Sequence, residues 1–334
     1  MKADEEEMEE EEALPSTASD VPLSRTGSLY LLATMAASWA LFDAPASLPL
    51  LRLVPDFAAI IATSLGNAAT GSTGAEPEPL IDAVLFLGFL IMSAGQGIPV
   101  DNDSMFNNIL QRLSLLSANM PSPVLRYHAH LLTSTILHSH PSDHVRLSFI
   151  RDTLEHCPYE NLKGSAVGWL KDEIIATDKV NQNRKEGDAE MSIFATPEVL
   201  TTLAPFLFPD PNSLMEGQST TDGYATFQAH QAFYLAVVNL LYLLVSSPSM
   251  FARLEIQALV KNYGVEQFLE ALFARSGNFQ DSIARGEIGY GDDESKDEGI
   301  AGMKLMEMSV EEVKRAIAKK GVSDEAHERM GSSN

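Results

Sequence analysis

The sequence predicts an all-α, HEAT/armadillo-like helical-repeat solenoid with disordered acidic tails. Three observations carry that expectation. Apolar residues recur at helical spacing from about Ser28 to Arg285, and no period-two alternation persists between turn signals. Between about Asp103 and Ile174, four amphipathic helices are joined by short breaks. Helix pairs of about 40 residues that cannot bury their faces alone stack in this way. Finally, 45% of the 334 residues are hydrophobic, ample for a core, while much of the acid sits at the two ends.

Residues 1–27 are acidic and then rich in Pro, Ser and Thr, the composition of a disordered tail. Leu29–Phe42 reads as an apolar helix stopped by Asp43 and Pro45. The run from about Leu48 to Leu65 carries Pro49 and Pro55, so it starts late or is kinked. Residues 66–79 read as loop, and Leu80–Ser93 as a nearly all-apolar helix covered by neighbours. After a linker at 94–102, Asp103 or Ser104 caps a helix with Phe106, Ile109, Leu110, Leu113 and Leu116 on one face. Val124–Ser139 follows, and then a helix opened at Pro141-Ser142-Asp143 with Leu147, Ile150, Leu154 and Cys157 in line.

The chain turns at Cys157-Pro158, and Pro158 fits a first helical turn, where its missing N–H is no loss. In the helix that follows, Leu162, Ala166, Trp169, Leu170 and Ile174 share a face. Gly164 and Gly168, four apart, predict close approach of another backbone. Residues 176–195 read as polar loop. Thr196-Pro197-Glu198 opens another helix, with Pro in the first turn and an acid near the positive dipole end. Residues 209–223 read as loop, Phe227–Val245 as a long apolar helix, and Ser247-Pro248 as the start of the next, which Gly264 separates from a last helix ending near Arg285. The domain reading is therefore a tail at 1–27, a solenoid at 28–285, and a mostly disordered acidic tail at 286–334. Within that tail, Ser309-Val-Glu-Glu312 caps a short helix over about 309–320 with Met308, Val313 and Ile317 on its face.

The formal net charge is −23, from 46 acids and 23 bases. An acidic surface argues against nucleic acid, whose phosphates require Lys and Arg, and against an anionic membrane. It is compatible with a basic protein partner. The apolar runs 29–42, 80–92 and 232–245 fall short of the ~18 residues a spanning helix needs. One cysteine excludes an intramolecular disulfide and fits a reducing compartment.

No glycine-rich phosphate loop, nucleophile elbow or His-Glu-x-x-His helix is present in the sequence. The histidines His128, His130, His138, His140, His144 and His156 cluster, but His128 and His130 diverge on a helix, and His138 and His140 fit a helix C-terminus, which favours imidazole. A metal site is therefore the weaker reading, and no cofactor, metal or catalytic residue is expected. Cys157 precedes a helix N-terminus, where a thiolate is stabilised and a redox-sensitive cysteine can arise. It also completes an apolar stripe, and burial is the commoner state of a free cysteine.

The run His156-Cys-Pro-Tyr-Glu-Asn-Leu-Lys-Gly-Ser-Ala-Val-Gly-Trp-Leu-Lys-Asp-Glu-Ile174 resembles the signature segment of the YAP-binding/glomulin family. The likeness is specific from about Arg151 to Ile174 and diffuse from Leu29 to Arg285. Family members are longer upstream, so the chain looks like the C-terminal part of the family pattern or a truncated gene model. The resemblance implies a non-enzymatic adaptor in the cytoplasm, and also in the nucleus. Fungal members bind a YAP-type bZIP transcription factor and promote its oxidative activation by a peroxidase. Glomulin-like members instead bind the RING subunit of cullin–RING ubiquitin ligases and inhibit them. The segment from Cys157 to Ile174 looks closer to the fungal branch. Lys163, Lys171, Asp172 and Glu173 are the residues of that helix expected to face a protein partner. Asn161, Leu162, Trp169 and Leu170 are expected to hold the array together.

Overall fold

A computed structural model describes residues 17, 23–41, 57–66, 73–95, 102–182, 191–290 and 292–331. Every regular element among the described residues is a helix, so the chain is an all-α helical-repeat array. It divides into two compact units, Met1–Gln96 and Gly97–Asn334, where the sequence reading has one array over 28–285. Most of the expected N-terminal tail lies outside the described residues.

In the first unit, α1 (Arg25–Leu41) and α2 (Phe57–Ser64) pack on α3 (Glu78–Ser93). Helix α2 begins after Pro55, as the two prolines require. Helix α3 carries Pro79 in its first turn and buries Leu80, Ile81, Val84, Leu85, Leu87 and Ile91.

The second unit contains α4 (Asp103–Asn119), α5 (Pro123–Ser139), α6 (Asp143–His156) and α7 (Glu160–Gln182). A short 3₁₀ turn at Ile193–Ala195, α8 (Pro197–Leu207) and α9 (Pro211–Leu214) come next. The unit is completed by α10 (Thr220–Ser246), α11 (Pro248–Arg253), α12 (Ile256–Asn262), α13 (Val265–Ala284) and α14 (Asp293–Gly331). Helix α4 packs on α5, α6 on α7, α7 on α10, and both α10 and α13 on α14. Buried Phe106, Ile109, Leu110, Leu113 and Leu116 form the expected face of α4. Its cap is Asn102, whose Oδ1 accepts from Met105 N at 3.0 Å; Asp103 takes the first turn, where a carboxylate suits the dipole.

Four sequence expectations are corrected. Helix α7 runs on to Gln182 through residues read as loop, because Asp178 is buried and held by Arg253 and by Ser249 Oγ at 3.2 Å. Pro158 precedes α7 by two residues, and the Leu162 and Lys163 N–H groups donate to the Tyr159 carbonyl between them. Helix α10 begins at Thr220, where Ser219 Oγ accepts from Asp222 N at 3.2 Å. The tail expected to be disordered from 286 to 302 enters α14 at Asp293. Met303, Met306, Val310 and Val313 are the fully buried face of that helix, whereas Met308, expected on it, is 65% exposed.

Length and composition alone would let α10 cross a membrane. In the fold it is the central helix of its unit, burying Phe227, Phe233, Tyr234, Val237, Val238 and Leu241 against α7, α13 and α14.

Candidate functional site: the α5/α7/α10 groove

Helix α7 is organised around the face that its periodicity defines. Leu162, Ala166, Trp169, Leu170 and Ile174 are all buried. Trp169 is only 1% exposed and lies between two rings: His130 of α5, stacked at 6.2 Å and 15°, and Phe149 of α6 at 5.6 Å. Asn161 is exposed, and its Nδ2 reaches the Ala118 carbonyl at the end of α4, 3.5 Å away.

The two glycines of α7 do different work. A Cβ on Gly164 would lie 3.6 Å from the Ala232 carbonyl of α10, so Gly164 does permit the close backbone approach expected of it. A Cβ on Gly168 would meet nothing within 4 Å; that glycine opens onto free space rather than onto a neighbour. The free space is a groove of about 370 Å³ shared by α5, α7 and α10. Small residues line it on two helices at matching four-residue spacing, Gly164 and Gly168 on α7 and Ala232 and Ala236 on α10. The stacked His130 and Trp169 rings line it as well, together with Lys171 and Asp172.

Of the four residues expected to meet a partner, the structure leaves two well exposed. Lys171 and Asp172 are 44% and 50% exposed and 3.6 Å apart at the groove. Lys163 is largely covered and spends its charge on Glu160, 2.8 Å away. Glu173 is a correction: its side chain is 6% exposed and faces inward. Its Oε1 sits 2.6 Å from His138 Nδ1 at the end of α5. Arg146 Nε of α6 lies 2.8 Å from the same oxygen, a coulombic pair whose N–H is not aligned on it. Arg146 in turn holds Asp143 Oδ1 at 2.5 Å and the His140 carbonyl, and stands over the Phe194 ring. Asp143 Oδ2 accepts from Ile193 N at 3.2 Å. One buried carboxylate thus ties α7 to the ends of α5 and α6 and, through Arg146, to the 3₁₀ turn. A surface role for Glu173 fails because the partners that enclose it, Arg146 and His138, come from 27 and 35 residues away in the chain, beyond any local pattern.

The clustered histidines separate in the fold. His140 is buried against Phe106 at 4.5 Å, His138 serves Glu173, and His156 is exposed. Burial lowers the His130 pKa, and the nearby Asp172 carboxylate opposes that shift. His130 therefore presents a neutral, stackable ring to the groove at neutral pH.

Cys157 is half-buried at the end of α6, its Sγ 3.8 Å from the Tyr159 carbonyl. Burial pushes the thiol pKa up; its contact with Tyr159 and the Lys163 charge pull the other way, and Glu160 adds to the rise. The thiolate, the reactive form, is therefore scarcer here than in an ordinary cysteine. Alkylation of the native protein at pH 7 is expected to be slower than that of the unfolded chain, and the gap should narrow as pH rises through the thiol range. A native rate equal to the unfolded one would show that this burial has no chemical effect.

Sequence reasoning missed α10 as the second wall. The signal was present: residues 223–252 contain no Asp, Glu, Lys or Arg, and Ala232 and Ala236 repeat the glycine spacing of α7. A model of the "Uncharacterised protein family, YAP/Alf4/glomulin" matches residues 2–287, a span that includes every wall of the groove. The chain belongs to the YAP/Alf4/glomulin family. This membership is consistent with a protein-binding adaptor, and it accounts for the family-like run at 156–174. No curated protein and no solved structure matches the chain.

Proposed function

We propose that this YAP/Alf4/glomulin-family chain is a non-enzymatic cytoplasmic adaptor that binds a bZIP stress transcription factor and promotes its oxidative activation. The observation that carries the reading is the groove of the family-like helix. It is lined by Gly164, Gly168, Ala232 and Ala236, flanked by the His130 and Trp169 rings, and edged by the exposed pair Lys171 and Asp172. Small residues let a partner backbone approach closely, and the half-buried His130 ring, held from behind by the buried Trp169, offers a flat contact at the groove's edge. On α5, Val124, Tyr127 and Leu131 add an exposed apolar stripe at i, i+3 and i+7, with His130 beside it. The oxidised thiols in this reading are the partner's, since the raised Cys157 pKa makes its thiolate the scarcer nucleophile.

The test is a tagged pull-down from the source organism with and without peroxide, read by mass spectrometry, using wild type, Gly168→Phe and Lys171→Glu. Gly168 has open space around its Cβ position and lines the groove, so a Phe side chain there projects into it. Both variants are expected to melt within about 2 °C of wild type, as surface changes worth ≤ ~0.5 kcal/mol do. Gly168→Phe should lower recovery of the bZIP factor at least tenfold, and Lys171→Glu by a smaller factor. Undiminished recovery by a folded Gly168→Phe protein would remove the groove from the interface. Recovery of a cullin and its RING subunit in place of a bZIP factor would replace this partner with the ubiquitin-ligase one.

A further inference from the structure

Helix α14 begins beyond the family-matched residues, yet it closes the core of the second unit. It lies on α10 and α13 through Met303, Met306, Val310 and Val313, spaced i, i+3, i+7 and i+10, none of which is exposed to solvent. Within the turn before Met303, two glycines bring its backbone down onto polar side chains. A Cβ on Gly299 would overlap the hydroxyls of Tyr290 and Tyr224, and one on Gly302 would lie 2.8 Å from the Gln231 amide nitrogen. The seat beneath is tied together: the Tyr290 hydroxyl donates to the Tyr224 hydroxyl, which also accepts from Gln228 Nε2 at 2.7 Å. On α13, Gly277 leaves room for the Glu307 carboxylate. Farther along, Lys314 stands over the Phe273 ring of α13 and Lys320 over the Phe251 ring of α11.

This is a helix laid in a groove, with the ligand supplied by the same chain. The helix is poorly suited to persist off its seat. Gly299 and Gly302 weaken it in its second and third turns, and Met308 and Leu305 face solvent. Its four buried side chains hold it there, and the tether favours them over a free competitor: the link from Arg285 to Asp292 is short, turning at Gly286 with φ +75°, and short tethers give effective concentrations of order millimolar. We propose that α14 is a displaceable intramolecular ligand, and that the α10/α13 face it covers is a second docking surface. That surface fits a partner's amphipathic helix with an apolar stripe at i, i+3, i+7 and i+10 and small residues one turn before it. The proposal is independent of the α5/α7/α10 groove reading.

The test uses the full chain and, as probe, a fluorescein-labelled synthetic peptide of residues 297–320, followed by anisotropy. Wild type should not bind it at tens of micromolar, because the tethered copy occupies the seat. The full-length Met306→Asp/Val310→Asp protein, with its own helix unseated, should bind at least tenfold more tightly, and the same peptide carrying Gly299→Leu should not bind. Equal binding by both proteins, or no binding by a double variant that keeps its helical circular dichroism, overturns the proposal. Native-state hydrogen exchange on wild type decides the matter if the double variant fails to fold. Amides 303–313 should exchange at least tenfold faster than the α10 core amides 237–245 without denaturant; exchange only through global unfolding would show that α14 is not displaceable.

Discussion

Replacing Glu173 with alanine is expected to destabilise the second unit by ~3–5 kcal/mol, the usual consequence of removing one partner from a buried ion pair. An exposed glutamate on the same helix would give under ~1 kcal/mol. The difference comes from what is left behind. Arg146 is only 12% exposed, and without Glu173 its charge keeps Asp143 but loses the carboxylate that joins α6 to α7. His138 Nδ1 loses its partner at 2.6 Å as well. Urea unfolding followed by circular dichroism measures this, and Glu173→Gln should lose less, since its amide oxygen still accepts. A loss below 1 kcal/mol for the alanine variant would mean that the carboxylate is better solvated than its geometry indicates.

Trp169→Ala is expected to cost a similar ~3–5 kcal/mol, here by leaving a cavity between His130 and Phe149. For a unit of this size that is a fall in melting temperature of roughly 6–20 °C. Trp169→Phe separates packing from hydrogen bonding. The indole nitrogen of Trp169 is buried with no acceptor, so phenylalanine sacrifices volume but no hydrogen bond. Its melting temperature should lie much nearer wild type than that of the alanine variant. If Phe and Ala destabilise equally, the indole is held by more than contact with its two neighbouring rings. Trp169 also lines the groove, so Trp169→Ala should lose partner recovery together with stability, whereas Gly168→Phe should lose recovery alone.

The helices were legible because periodicity is a local property. Leu162, Ala166, Trp169, Leu170 and Ile174 announce a buried stripe by spacing alone, and Pro55 and Pro197 mark helix starts by what proline forbids. The losses share one cause. Gly164 and Gly168 have the same identity and sit on one helix, yet only Gly164 meets α10, and no local rule distinguishes them. Glu173 reads as a solvent-facing acid until Arg146 and His138 are brought beside it. The glycine- and acid-rich opening of α14 reads as disorder because its helix depends on a seat built by Tyr224, Gln231 and Tyr290. The groove was half-legible: its α7 wall stood out in the sequence, while its α10 wall was read only as an apolar helix.

The order of elements along the chain has a consequence for synthesis. Helix α10 has no Asp, Glu, Lys or Arg from Gly223 to its end, and one of its faces is covered only when Val310 and Val313 arrive. Some 67 residues separate Ser246 from Val313. At the usual 5–20 residues per second of translation, α10 waits about 3–13 s for that cover. During this interval the nascent chain presents an uncharged apolar surface of the kind that aggregates or recruits chaperones. A premature stop before Met303 would make that exposure permanent. Such a shortened chain keeps every residue of the family match and of the groove, so its defect would be one of abundance and solubility rather than of the groove's chemistry.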